Sequence, residues 1–198
     1  MDLGLTYTVA DDGSKVMSMP AERREWVISF VRENAKTSPA AIEALLHEGH
    51  AELFAALEGV SEAQAAYKPA PDDWSILEVI AHEVTVKDSL GRLMTVMATG
   101  SLPPGIGPQF EEAKAQDGLI ITRFDTLAEA RAAAQAAHDR AVAFVRGIGD
   151  HTNTEVTFRH FYFGAFNARE WPVFLRVHDG DHTPHIGKIK ATPGYPPA

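Results

Sequence analysis

His178 and His182 stand four residues apart in a stretch whose apolar residues recur with helical period. Side chains at i and i+4 share a helix face with Cβ atoms about 5–6 Å apart, close enough for two imidazoles to hold one cation. At about 100° per residue, setting His178 at zero puts His182 near 40° and His185 near −20°. Trp171, Phe174, Leu175 and Ile189 fall within about 60° of the same direction. Histidines thus interrupt a stripe that should be core. His82 does the same in a second stripe of Val79, Val86, Leu93 and Met97. Sites in helical bundles are built from facing side chains on different helices. His82, His178 and His182 would supply three nitrogens and leave positions open for water or substrate, the pattern of a catalytic metal centre. An ion held by neutral imidazoles keeps its full charge, so it would acidify bound water or ionise a bound thiol. Glu83, Asp179 and Asp181 are candidates to accept the outward imidazole N–H, although their helical phases lie off the stripes.

A lone histidine on an apolar face is ordinarily a hydrogen-bonded core residue; the joint set points to metal. His47 and His50, three apart on an earlier helix, are secondary candidates, and only His50 lies near that helix's apolar face. His138 and His151 read as surface residues. His160 could line a cavity. Val86 stands where a zinc protease would need its second histidine after His82-Glu83, and His47-Glu48 also lacks that partner. The sequence has no nucleophile elbow, phosphate-binding glycine loop or EF-hand loop.

Composition narrows the chemistry further. The 198 residues carry a formal charge of −9, which argues against nucleic-acid and anionic-membrane partners. Cysteine is absent, which excludes thiolate ligands, disulfides and a cysteine nucleophile. No apolar stretch is long enough to span a bilayer, and the N-terminus lacks a signal layout, so a cytoplasmic location is expected.

The elements that must position these histidines can be read from caps and breakers. Residues 1–37 form an arm with a short strand over Leu5–Val9, a turn at Asp12-Gly13 and a helix from Ser18 or Pro20 to about Lys36. Ser38-Pro39 restarts a helix that ends near Gly59, followed by a loop through Lys68–Asp73. Ser75 caps the His82 helix, with Glu78 completing a capping box, and that helix runs to about Thr99. A breaker-rich loop follows at Pro103–Pro108. Asp125 is expected to cap an alanine-rich helix over residues 126–146. Residues 151–163 favour an extended segment, and a last helix is expected from near Ala165 to Lys190. Residues 191–198 are expected to be disordered. Long helices, each with one core-facing stripe, predict an all-α protein with a four-helix bundle over residues 38–190 and an N-terminal extension.

Two motifs carry a family resemblance. One is Pro71, Asp72, Asp73, Trp74 and Ser75, then Glu78, then His82. The other is Asn167, Ala168, Arg169, Glu170 and Trp171, then His178 and His182. Together they resemble the DinB-like (DinB/YfiT) superfamily over about residues 38–190. The resemblance implies a four-helix bundle, often a homodimer, that binds a divalent ion such as zinc or nickel through His82, His178 and His182. It also implies activity of the S-transferase or hydrolase kind on a small electrophile, in some relatives with a low-molecular-weight thiol. Two departures stand out. His185-Ile186 replaces the usual Gln-Ile, which makes His185 a candidate fourth ligand. Gly180 and Pro184 lie inside the ligand helix, where proline costs about 3 kcal/mol and would kink the helix or break it. A kink is expected, because the apolar stripe continues through Ile189. A small-molecule pocket between the helices, closed by the 101–122 loop, completes this reading. The alternative is a non-catalytic bundle that binds a ligand or partner, with a structural ion or none. Metal-free acid–base catalysis by the histidines is a third reading.

Overall fold

The computed structural model describes residues 4, 6–9, 15–100, 122–149, 152–160 and 162–197. The Asp12-Gly13 turn, the 103–108 breaker run, His151 and all but Thr122 of the 101–122 loop lie outside them.

The first described element is a two-stranded antiparallel hairpin, β1 (Thr6–Val9) and β2 (Lys15–Ser18), with Thr6 opposite Ser18. Helix α1 (Ala21–Asn34) follows, then α2 (Pro39–Ala56), with Ser38 accepting from Ala41 N at its start. A short helix, α3 (Glu62–Ala66), occupies the segment between α2 and the Lys68–Asp73 loop. Its Ser61/Gln64 capping box is a signal of the kind that opens α4. Helix α4 (Ile76–Ala98) begins at the expected Ser75/Glu78 box, with Ser75 N donating to Glu78 Oε2 at 2.8 Å.

Helix α5 (Leu127–Ile148) is capped by Thr126, whose hydroxyl accepts from Glu129 N, rather than by Asp125. The last helix also starts later than expected. Residues 164–167 form strand β4 (Gly164–Asn167), paired antiparallel with β3 (Thr157–His160), and α6 runs over Glu170–Lys190. Asn167 accounts for the shift. Its Oδ1 accepts from Arg169 N and Glu170 N, while Glu170 Oε2 accepts from Asn167 N at 2.8 Å, so the chain turns into the helix there. Helix α6 continues through Gly180 and Pro184 without a break.

Helices α2, α4, α5 and α6 form the bundle. α2 packs on α6 and α5, and α4 packs on α5 and α6, so each helix has two neighbours. Helix α1 lies against α6, and α3 against α4. The chain end is packed too. Tyr195 meets Tyr67 edge-on, and Gln64 Nε2 donates to Pro196 O at 2.9 Å, so this stretch is held against α3 rather than disordered. No helix among the described residues is long and apolar enough to cross a membrane.

The core falls into two apolar clusters. One contains Leu46, Met94, Val145, Phe166 and Leu175. The other contains Leu53, Ile80, Ala134 and Ile186. Between them each bundle helix contributes polar residues or glycine: Gly49 and His50 from α2, Glu83 and Lys87 from α4, His138 from α5, and Asp179 from α6. The polar side chains of this layer are buried. His138 therefore belongs to the interior and is not a surface residue. Its neighbours along α5 are alanines, which mark an apolar face only weakly in sequence.

Gly49 lets α2 approach α6 at this level. A Cβ there would lie 3.0 Å from Arg176 Cδ, 3.1 Å from Asp179 Oδ2 and 3.2 Å from Asp179 Cβ. Asp179 is ion-paired and cannot yield, so Gly49→Ala is expected to destabilise the fold by about 1–3 kcal/mol despite alanine's better helix propensity. Gly91, in the same kind of helical backbone, faces open space. Gly91→Ala is expected to stabilise by about 0.5–1 kcal/mol. Urea midpoints of the two variants should move in opposite directions.

Candidate metal centre

His82 comes from the first half of α4, and His178 and His182 from the middle of α6. Their ring centroids form a near-equilateral triangle: 5.0 Å for His82–His178, 4.9 Å for His82–His182 and 4.6 Å for His178–His182. One nitrogen of each lies within 4.8 Å of the others, and His82 Nε2 is 3.1 Å from His178 Nε2. The i, i+4 geometry of the α6 pair thus survives Pro184, because the helix does not break between them.

Behind the triangle lies a buried chain of charge. Glu83 Oε1 is 3.0 Å from His178 Nδ1 and 3.7 Å from His182 Nε2. Its other oxygen is 3.5 Å from Lys87 Nζ, which in turn is 2.6 Å from Asp179 Oδ1. Of the expected outer acceptors, Glu83 lies against an imidazole, and Asp179 works one step further back, on the lysine. Lys87 carried no signal as a site residue. Its phase lies off the α4 stripe, yet α4 is covered by both α5 and α6, so more than one face is buried.

Burial pushes the Glu83 carboxyl up, but His178 and Lys87 outweigh it and hold the group well below the usual carboxylate range. Burial pushes Lys87 down, but Asp179 and Glu83 outweigh it and keep the ammonium charged. His178 is also pushed down by burial, and Glu83 more than restores its basicity. Burial, and then His178, hold His182 well below the ordinary imidazole value, so it is neutral near pH 7.

These residues fit a divalent ion. With Glu83 Oε1 3.0 Å from its Nδ1, His178 in its neutral form would turn the Nε2 lone pair toward His82. His182 Nδ1 is buried with no hydrogen-bond partner. Two nitrogens bound to one zinc at about 2.0–2.1 Å with a tetrahedral angle are about 3.3 Å apart, close to the separation between His82 and His178. A second converging set, Glu83, His178 and Asp179, is served by Lys87 as its cation.

Trp74 walls the site. Its ring lies 5.0 Å from His82, 6.2 Å from His182 and 5.9 Å from His185. His185, the candidate fourth ligand, stacks on Trp74 with its ring centre 6.3 Å from that of His182, outside the converging triangle. His160 lies on β3 among Phe163, Trp171 and Phe174. Its Nδ1 accepts from Tyr162 N and Phe163 N, which leaves the proton on Nε2. A cleft of about 550 Å³ lined by Thr95, Arg140, Phe144 and Ile148 includes none of the triangle's histidines.

Residues 45–186 match the sequence profile of the DinB superfamily. The chain belongs to the DinB superfamily. Among solved structures, its fold is similar to that of YfiT from Bacillus subtilis. The TM-score is 0.53 at 18% identity, covering 87% of this chain and 89% of that one. YfiT is described as a probable metal-dependent hydrolase with an unusual four-helix bundle topology. At this identity the likeness shows a common fold, here the DinB-like bundle. No protein of curated function matches the sequence.

Lys87 faces two buried carboxylates: burial pushes the Asp179 carboxyl up to about 8 against the pull of Lys87, while Glu83 is held low, and removing one member of such a set costs about 3–5 kcal/mol. Lys87→Met is expected to lower unfolding stability by that amount in urea titrations. The double variant Lys87→Met/Asp179→Leu should regain part of the loss.

Proposed function

We propose that this DinB superfamily protein is a metal-dependent enzyme whose divalent ion is held by His82, His178 and His182. The observation that carries the proposal is the half-buried imidazole triangle with Glu83 Oε1 3.0 Å from His178 Nδ1 on its outer face. An ion held there would supply Lewis acidity, which lowers the pKa of a bound water or thiol into the neutral range. Around it, the chain's own residues have separate tasks. Glu83 fixes the His178 tautomer and ring plane. Lys87 and Asp179 hold Glu83 in place. Trp74 shields the His82 and His182 faces from solvent and offers an aromatic wall to a small substrate.

The reaction class is attack of an activated nucleophile on a small electrophile. Hydrolysis is supported by the description of YfiT. A low-molecular-weight thiol as nucleophile, a homodimeric state and a cytoplasmic setting rest on the family resemblance and the sequence. The metal is of the zinc or nickel type, since three imidazoles suit late first-row ions.

The test is elemental analysis of protein purified without a histidine tag, beside a His178→Ala/His182→Ala variant whose helicity is checked by circular dichroism. About one equivalent of metal per chain is expected in the parent and a small fraction of that in the variant. Glu83→Gln should bind the ion about 10–100-fold more weakly. A folded parent that takes up no zinc, nickel or manganese on reloading would instead favour a non-catalytic bundle.

A further inference from the structure

The polar layer has a second end, on the α2–α5 side of the bundle. There His138 Nε2 lies 3.0 Å from His47 Nδ1. His47 Nε2 lies 3.3 Å from Glu43 Oε1, and Arg146 anchors Glu43 with Nε 2.8 Å from Oε2. This repeats the construction around His178. In each case a carboxylate oxygen lies beside the outer nitrogen of one imidazole, and that ring's other nitrogen faces an imidazole nitrogen from a different helix. The facing separations are 3.0 Å here and 3.1 Å between His82 and His178.

We propose that His47 and His138 form a second binding site for a divalent transition-metal ion such as zinc, separate from the triangle and weaker than it. Two imidazoles supply the protein ligands, and water completes the coordination, because the His47 side chain is 53% exposed. His50 is not a ligand. Its ring stacks on His138 with centroids 4.0 Å apart and planes within 8°, so the lone pairs of the two rings run in parallel planes and do not converge. Its Nε2 is engaged by Gln135 Oε1 at 2.9 Å. His50 instead fixes the His138 ring plane and shields it from one side.

Electrostatics agree with the geometry. Burial, and then the neighbouring His50, push His138 down to about 4, so its ring is neutral near pH 7, the state a metal requires. Without metal, His138 Nε2–H donates to His47 Nδ1. On binding, the neutral His138 ring carries its proton on Nδ1 instead of Nε2. The site uses none of the residues of the triangle, so either can fail without the other.

Zinc titration by calorimetry tests the site in a His82→Ala/His178→Ala/His182→Ala variant that retains its helicity. About one equivalent should still bind. Adding His47→Ala should weaken that binding at least tenfold. Should the triple variant not fold, the comparison is made in the parent chain, where two equivalents should bind and His47→Ala should remove the weaker one. Unchanged zinc binding on His47→Ala in either background, or none beyond the triangle, would overturn the proposal and leave a plain N–H···N hydrogen bond between the two rings.

Discussion

Lys87 is the residue on which this architecture depends. It places an ammonium group in the middle of a helical bundle, and a buried charge is tolerable only when paired and closely packed. Asp179 meets it from α6 and Glu83 from its own helix. Bringing Asp179 into place sets α6 so near α2 that a Cβ at position 49 would crowd Asp179 and Arg176. With one oxygen toward Lys87, Glu83 has the other left for His178, and that ion-pair contact sets the imidazole facing His82 and His182. The histidine triangle is thus the outer end of an electrostatic chain that begins in the core.

This explains why the core is split. An apolar cluster on each side of the polar layer supplies the burial that holds the helices at fixed separation. The layer specifies their register, since a shift of α6 along α4 would separate Lys87 from Asp179 and leave charges unpaired. The capping box at Ser75 and the reciprocal Asn167–Glu170 bonds act in the same direction, because they set where α4 and α6 begin and so where His82 and His178 fall along them. Irregular elements remain outside the bundle, as a hairpin packed against α6 and a chain end folded over α3.

Much of the site was legible in the sequence. Histidine in an apolar stripe is conspicuous, and His82, His178 and His182 do face one another. Ser75 and Glu78 announced the start of α4. The supporting residues were harder to read for a physical reason. Periodicity marks one buried face per helix, whereas α4 is covered by both α5 and α6, so Glu83, a candidate acceptor, lies off the stripe and Lys87 gives no signal. His138 was hidden by alanines that give its face little contrast. The strand at 164–167 reads as helix in sequence because the turn at Asn167 depends on reciprocal bonds with Glu170, which the apolar pattern does not mark. Short α3 had its own box at Ser61 and Gln64, masked by the loop-like composition that follows it.

The central claim is that a backed imidazole triangle, rather than the acidic residues behind it, holds the ion. Anomalous diffraction at the zinc edge, from crystals loaded with zinc, addresses that claim most directly. The account expects a strong peak within about 2.3 Å of one nitrogen from each of His82, His178 and His182, with Glu83 still on His178 Nδ1. A peak between Glu83 and Asp179 with Lys87 displaced, or none at the triangle in zinc-loaded crystals, would contradict it.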